Sequence, residues 1–157
     1  YGGLVLYETG PPRRAEALTP LGPMDLVIAV TSGKRDTGEM VAGAAAFAER
    51  DADGFRSLLD SARKLSAAGK EAIEAGDLRA LGGLMNENHG LLQALGVSTP
   101  GLDALVEATR VAGAAGSKLT GAGGGGAMIA LCPGRQDEVG TACVNAGAAE
   151  VIRTRIG

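Results

Sequence analysis

The spacing of apolar and polar residues along the chain predicts separate blocks of strands and helices. Short apolar runs rich in Val and Ile are typical of buried strands, whereas apolar residues that recur every three to four positions are typical of one-sided helices. The segment Glu8–Pro23 contains four prolines and is predicted to be a loop or a polar turn between strands. Strands are predicted over Tyr1–Tyr7, Met24–Thr31, Ser117–Thr120, Ala127–Cys132 and Glu150–Ile156.

Helices are predicted mainly between the second and third strands. The first of them is capped by Asp36 or Thr37 and runs through Ala48. Because strands and helices are segregated rather than strictly alternating, the pattern predicts an α+β fold with a mostly antiparallel sheet and a layer of helices on one face. A length of 157 residues suits one domain over residues 1–157. The remaining helices are predicted over Gly54–Ala75, Asp77–Leu95, Gly101–Ala112 and Gln136–Ala146.

Composition excludes several classes of function. The net charge is −3 and the basic residues are scattered, which argues against a nucleic-acid-binding surface. Two cysteines, Cys132 and Cys143, and one histidine do not provide the spacing of a metal site, so buried free thiols are expected. The sequence shows neither an apolar stretch near the ~20 residues of a membrane span nor a signal peptide, so a cytoplasmic protein without a membrane partner is expected.

The most informative stretch is Gly121–Gly126, which contains five glycines and one alanine. Glycine loses more conformational entropy on folding than any other residue, so such a run indicates a backbone that must approach a ligand closely, most often an anion such as phosphate. A dinucleotide-binding loop would need a helix directly afterwards, whereas Ala127–Cys132 is predicted to be a strand, and no Lys-Ser or Lys-Thr follows as in a P-loop. A flexible hairpin turn is the remaining alternative.

A second polar cluster, Ser32–Thr37, lies between a predicted buried strand and a helix. Side chains there would converge with the helix N-terminal amides, and Arg35 could pair with a carboxylate or phosphate. The alternative is that Thr37 only caps the helix and the basic residues are solvated. In a later helix Asn88 falls on the apolar stripe and is predicted to tie the helix to a loop backbone, while His89 is predicted to be structural.

The segment Lys118-Leu-Thr-Gly-Ala-Gly-Gly-Gly-Gly126 closely resembles the third motif of the GHMP kinases, and its Lys-Leu-Thr beginning is most similar to mevalonate kinases. The segment through Val41-Ala42-Gly43 and the run Asn86-x-Asn88-His89 are similar to mevalonate kinases too. The resemblance extends over almost the whole chain and corresponds to the C-terminal domain of those enzymes.

This resemblance implies ATP-dependent phosphorylation of mevalonate to 5-phosphomevalonate in isoprenoid biosynthesis. It places Thr37, with Arg35 beside it, near mevalonate. No catalytic residue and no metal ligand is expected in this chain. The residues implied near the phosphates of ATP are Gly121, Ala122, Gly123, Gly124, Gly125 and Gly126.

The family's nucleotide loop and catalytic aspartate are expected upstream of Tyr1, in an N-terminal domain of the same polypeptide that would also bind most of the ATP and Mg²⁺. The isolated chain is therefore expected to be inactive, and an uncovered apolar face makes a homodimer an expectation as well. Phosphomevalonate kinase, another GHMP small-molecule kinase, and a non-catalytic small-molecule-binding module remain open as alternatives.

Overall fold

The computed structural model describes residues 3–32 and 37–157, and within those ranges it contains six strands and five helices. The α+β fold predicted from the sequence is confirmed. The strands are β1 (Leu4–Glu8), β2 (Arg14–Leu18), β3 (Met24–Val30), β4 (Gly116–Thr120), β5 (Ala127–Leu131) and β6 (Glu150–Ile156). The helices are α1 (Thr37–Arg50), α2 (Ala52–Ala75), α3 (Leu78–Ala94), α4 (Pro100–Val111) and α5 (Gln136–Asn145).

Four strands form an antiparallel sheet in the order β4-β5-β3-β6. Strand β3 lies inside this sheet and is buried along most of its length, as its continuous apolar sequence predicts. It pairs with β5 from Leu26↔Leu131 to Val30↔Ala127 and with β6 from Met24↔Ile156 to Val30↔Glu150. Strand β4 is at one edge of the sheet and, of the described strands, pairs with β5 alone.

Strand β2 corrects the prediction that Glu8–Pro23 is a loop. It pairs with β1 in an antiparallel hairpin that is separate from the four-stranded sheet. The sequence RAEAL gives little hydrophobic signal because four of its five residues are exposed. The ion pair between Lys70 Nζ on α2 and Glu16 Oε1, at 2.9 Å, ties the hairpin to the helical layer.

The main core lies between one face of the sheet and the helices α4 and α5. Alternate residues of the strands point to this face, as the two-residue period of a strand requires. Leu102 and Leu105 of α4, and Val139 and Cys143 of α5, pack against them without significant exposure. The strand residues of this core are Val27, Ala29, Leu119, Met128 and Ala130.

A smaller apolar cluster is built on the other strand positions. Its buried residues are Met24, Leu26 and Leu131, of which Leu26 and Leu131 are register partners. The hairpin contributes Leu4, and α3 contributes Leu81 and Met85. Helix α3 therefore packs along the β4 side of the sheet and links the two clusters.

Side-chain caps fix the helix starts. Asp51 accepts a hydrogen bond from Gly54 N, Asp77 from Ala80 N and Thr99 from Leu102 N, which satisfies amides that the first helical turn leaves without partners. Asp36, the alternative to Thr37 as the predicted cap of α1, lies outside the described residues.

No helix in residues 3–32 and 37–157 combines the length and apolar character that crossing a membrane would require.

Candidate functional site

The glycine loop, residues Gly121–Gly126, connects β4 to β5 directly after the last paired residues of the two strands, Thr120 and Ala127. Gly121 and Gly123–Gly126 all have positive φ angles, between 68° and 111°. Residues with a Cβ adopt positive φ angles only at a cost in conformational energy, so the five glycines allow a backbone conformation that is unfavourable for other residues. The composition of the loop thus follows from its conformation.

The loop is fixed by hydrogen bonds at two points. Gly124 N–H donates to the carbonyl oxygen of Val97 at 2.9 Å. Gly126 N–H donates to Thr31 Oγ1 at 2.9 Å, while Thr31 N–H donates back to Gly126 O at 2.7 Å. The amides of Gly124 and Gly126 are therefore occupied within the domain and do not face a ligand.

Burial separates an inner part of the loop from an outer part. Gly123, Gly125 and Gly126 are buried, whereas Gly121 and Ala122 are exposed. A Cβ placed on Gly123 would lie 2.1 Å from Val97 O, so only glycine fits there. The outer part of the loop, Gly121–Ala122, is the part open to a binding partner.

Helix α1 begins close to this loop. Its side chain Met40 contacts the loop, because a Cβ on Gly124 would lie 2.8 Å from Met40 Cγ. Thr37, one turn earlier at the start of α1, is exposed. The structure thus places the helix that Thr37 begins beside the glycine loop, whereas Arg35 lies outside the described residues.

The outer edge of β4 has no partner strand among the described residues, and side chains of α3 and α4 cover it instead. Asn86 Oδ1 accepts from Ser117 N–H at 2.9 Å, and His89 Nδ1 accepts from Leu119 N–H at 3.3 Å. The outward carbonyl of Ser117 accepts from Arg110 Nη2 at 3.1 Å. Side chains of α3 and α4 thereby form the hydrogen bonds to the β4 backbone that a neighbouring strand would otherwise form.

His89 is a deeply buried polar side chain behind β4, at 2% exposed. Its Nε2 lies 3.1 Å from Asp103 Oδ1, although the N–H is not aligned for a hydrogen bond to that oxygen. The same oxygen accepts a hydrogen bond from Ser98 Oγ. Burial lowers the pKa of His89 against the opposing effect of Asp103, so the imidazole is neutral at pH 7 and is not disposed as a general base toward solvent.

Lys118, the first residue of the glycine motif, lies on the wall of a cavity of about 230 Å³ between α2, α3 and β4. Its Nζ donates to Leu119 O at 2.8 Å, and burial lowers the pKa of the ammonium group. Ser66 and Asn88 are the other polar residues of the wall, and none of the described residues that line it carries a carboxylate. The cavity therefore presents one cation in mostly apolar surroundings, lined also by Leu65, Gly69, Leu81, Leu84 and Met85.

A second cavity, of about 220 Å³, adjoins the glycine loop through Met40 and Val97. It lies between α1 and the C-terminal end of α3. Arg50 reaches over the ring of Phe47, with the guanidinium carbon 5.4 Å from the ring centroid. The other lining residues are small or apolar: Gly43, Ala44, Ala94, Leu95 and Gly96.

Among residues 3–32 and 37–157, no group of His, Cys, Asp or Glu is arranged to hold a metal ion. The thiols of Cys132 and Cys143 are buried and free. Burial, with a smaller contribution from Asp25, raises the pKa of Cys132 to about 11, so this thiol is not a nucleophile at neutral pH.

Two features of this region escape prediction from sequence. The tie to backbone predicted for Asn88 is instead made by Asn86, two residues earlier, and Asn88 lies on the cavity wall. The second feature is the partly buried ammonium group of Lys118. The sequence does contain one indication of its position. Lys118 lies in a strand directly before the glycine run, so its side chain is on the face opposite Leu119.

Comparison with known proteins gives a consistent result. Residues 70–149 match the family model described as GHMP kinases C terminal. The chain is similar to the mevalonate kinase of Pyrococcus horikoshii, with 45% identity over 160 aligned positions that cover 99% of this chain and 46% of the relative. The mevalonate kinase of Methanothermobacter thermautotrophicus is 44% identical over 142 positions, which cover 90% of this chain and 46% of the relative.

Among solved structures, that of L. major mevalonate kinase in complex with R-mevalonate superposes with a TM-score of 0.93 at 28% identity. The match covers 99% of this chain and 49% of that one. The chain thus spans about half the length of the relatives it matches.

Proposed function

The chain belongs to the GHMP kinase family through that family's C-terminal domain, and on this basis we propose that it is the C-terminal half of an ATP-dependent mevalonate kinase. The reaction transfers the γ-phosphoryl group of ATP to the alcohol of mevalonate and gives 5-phosphomevalonate and ADP. Identity near 45% to mevalonate kinases over the whole chain supports this substrate. That the chain is the C-terminal half is supported by its coverage of 46% of those relatives.

The observation that carries the proposal is the glycine loop, held by Val97 and Thr31 beside the start of α1. Phosphoryl transfer depends mainly on positioning and on stabilisation of charge, for which a rigid backbone with outward amides is suited. Because Gly124 and Gly126 use their amides internally, we assign the contact with phosphate to the outer residues Gly121 and Ala122. The inner residues of the loop then maintain its shape and brace the nucleotide loop of the other domain.

Thr37 is proposed to help hold mevalonate, with Arg35 beside it. A threonine hydroxyl at the start of a helix can donate to a carboxylate or hydroxyl of the substrate, and helix N-terminal amides add a favourable field for an anion. The exposure of Thr37 and its place on the helix that contacts Gly124 support this role.

ATP and Mg²⁺ are proposed to bind mainly to an N-terminal domain of the same polypeptide, which would also supply the catalytic aspartate. Mg²⁺ prefers carboxylate oxygens, and the described part of this chain offers no carboxylate cluster for it. We therefore assign no step of the reaction to a metal held by this chain, and we expect the chain alone to have no kinase activity.

The test measures ADP release by the polypeptide extended upstream to its native start, with R-mevalonate, phosphomevalonate and galactose offered separately. Turnover only with R-mevalonate supports the proposal. Turnover with phosphomevalonate or galactose instead would assign another GHMP kinase activity. A folded protein that neither binds ATP nor turns over any of the three would indicate a non-catalytic binding module.

A matched pair of variants tests the site. Thr37→Val removes the hydroxyl at nearly constant volume and is expected to raise the KM for mevalonate about tenfold or more. Thr141→Val, on the exposed side of α5 and remote from the loop, is the control and should leave the kinetics unchanged. The same KM for mevalonate in both variants would show that Thr37 does not bind the substrate.

A further inference from the structure

We propose that His89 is a positioning residue that holds the glycine loop at two points, and that protonation of its imidazole loosens the loop. The bracing role stands on the contacts of this domain alone. Its consequence for phosphate binding rests on the proposed function.

The first connection runs through β4. Leu119 N–H donates to His89 Nδ1 at 3.3 Å, and Leu119 lies two residues before Gly121. Leu119 is fully buried and pairs with Met128 of β5 on its other side. The imidazole therefore fixes the edge strand at the point where the strand enters the loop.

The second connection runs through α4 and the segment before it. His89 Nε2 lies 3.1 Å from Asp103 Oδ1, and Ser98 Oγ donates to the same oxygen. Ser98 follows Val97, whose carbonyl accepts the 2.9 Å hydrogen bond from Gly124 N–H. One imidazole thus contacts groups that position both the entrance and the middle of the loop.

Charged groups reach His89 from each neighbouring element: Asp103 and Arg110 from α4, and Lys118 from β4. Burial lowers the pKa of His89 most strongly, Arg110 and Lys118 lower it further, and Asp103 opposes them. A neutral Nδ1 accepts the Leu119 N–H, whereas a protonated Nδ1 would present a second hydrogen to it. Protonation therefore abolishes the hydrogen bond that fixes Leu119.

The direction of the pH effect follows from this shift. When the region opens, His89 is solvated and its pKa returns to about 6.5. Below that pH the open state takes up a proton more readily than the closed state does, so closure weakens as the pH falls. Between pH 7.5 and pH 5.5 the protection of the loop against exchange should therefore fall, by at most about tenfold.

The experiment is amide hydrogen exchange of this chain followed by NMR at both pH values, with each rate corrected for intrinsic exchange. We expect the protection of Leu119 and Gly124 to fall with pH, while amides of the β3–β6 pair keep theirs. A uniform fall across the domain, or no fall at Leu119, would overturn the proposal.

Two variants separate the connections. His89→Asn places a non-titrating amide near the position of Nδ1 and should make protection of Leu119 independent of pH. Ser98→Ala should weaken protection of Gly124 several-fold and leave Leu119 unchanged. If the protection of Leu119 in His89→Asn still depends on pH as in the wild type, the imidazole does not have the proposed role. If the protection of Gly124 is the same in Ser98→Ala as in the wild type, the second connection is contradicted.

Nucleotide binding is measured separately, so the two proposals can fail independently. The second measurement is the pH dependence of the KM for ATP, compared between the extended polypeptide with His89→Asn and the wild type. If hydrogen exchange behaves as expected but this pH dependence is the same in both proteins, His89 braces the loop and the assignment of the loop to phosphate is wrong.

Discussion

The backbones of Gly82 in α3 and Gly116 at the start of β4 are in direct contact. A Cβ on Gly116 would lie 1.9 Å from the carbonyl oxygen of Gly82, and a Cβ on Gly82 would lie 2.3 Å from the carbonyl oxygen of Ala115. Both glycines are buried. This contact sets how closely α3 approaches the free edge of β4, and it is what allows side chains as short as Asn86 to reach the strand.

Gly82→Ala is therefore expected to destabilise the domain by about 3 kcal/mol or more, because the added methyl group must separate α3 from β4. The neighbouring Gly83 is exposed, and a methyl group added there would have no other atom within 4 Å. Gly83→Ala should instead stabilise by up to about 1 kcal/mol through helix propensity. Urea denaturation of the two variants gives the comparison, and similar values for both would contradict the close approach.

Within the glycine loop, Gly123 and Gly121 share a φ of 85° but differ in their surroundings. Gly123→Ala should destabilise by about 2–4 kcal/mol, because its methyl group would meet Val97 O. Gly121→Ala meets no neighbour and should cost only the backbone strain, about 1–2 kcal/mol. Thermal denaturation measures both, and an equal loss would show that strain alone requires the glycines.

Asn86 accepts hydrogen bonds from Ser117 N–H and from Arg110 Nε, the latter at 2.8 Å. Asn86→Ala leaves both donors without this acceptor and should destabilise by about 2–3 kcal/mol. Asn88→Ala, which only enlarges a cavity wall, should change the free energy of unfolding by less than about 0.5 kcal/mol. A larger loss of stability in Asn88→Ala than in Asn86→Ala would instead support the prediction from sequence that Asn88 ties the helix to a backbone.

The charge of Lys118 is expected to destabilise the isolated domain, because burial lowers its pKa and, within the described part of the chain, its ammonium group donates to a backbone carbonyl alone. Lys118→Met keeps the aliphatic stem and should raise the free energy of unfolding at pH 7 by about 0.5 kcal/mol or more. The control is Lys64→Met, at an exposed position of α2, which should have little effect. A clear loss of stability in Lys118→Met would mean that its hydrogen bond outweighs its desolvation.

The hydrogen bond from Arg155 Nε to Asp25 Oδ1, at 2.6 Å, gives the fold an acid-sensitive contact. That bond, followed by the one from Gly134 N–H, lowers the pKa of Asp25 against the effect of burial. The unfolded state therefore takes up a proton at a higher pH, so this stability is complete above about pH 4 and is lost as pH falls through the lowered pKa.

Asp25→Asn should flatten that part of the curve of stability against pH and lower stability at pH 7. Asp137→Asn, which alters only an exposed pair with Arg153, is the control and should keep the wild-type profile. Urea denaturation between pH 2.5 and pH 6 measures all three proteins, and an unchanged profile in Asp25→Asn would exclude Asp25 as the source.

The sequence by itself determined the elements whose apolar pattern is strong, the family and the position of the glycine loop. The run of glycines between two apolar strands, and the continuous apolar stretch of β3, signal their structures locally because conformational freedom and burial are properties of the residues themselves. The exposed strand β2 gave no such signal, since pairing with β1 rather than burial defines it.

Tertiary structure decided the parts that depend on long-range contacts. Which loop amides remain for a ligand follows from the approach of Val97 and Thr31, which lie 27 and 95 residues away from Gly124 and Gly126 respectively. The choice of Asn86 over Asn88 follows from the rotation of α3 against β4, which the contact between Gly82 and Gly116 fixes. The apolar stripe of a helix indicates its inward face but does not distinguish between nearby residues at the edge of that face. The residue of α3 that bonds to β4 is therefore set by packing rather than by local sequence.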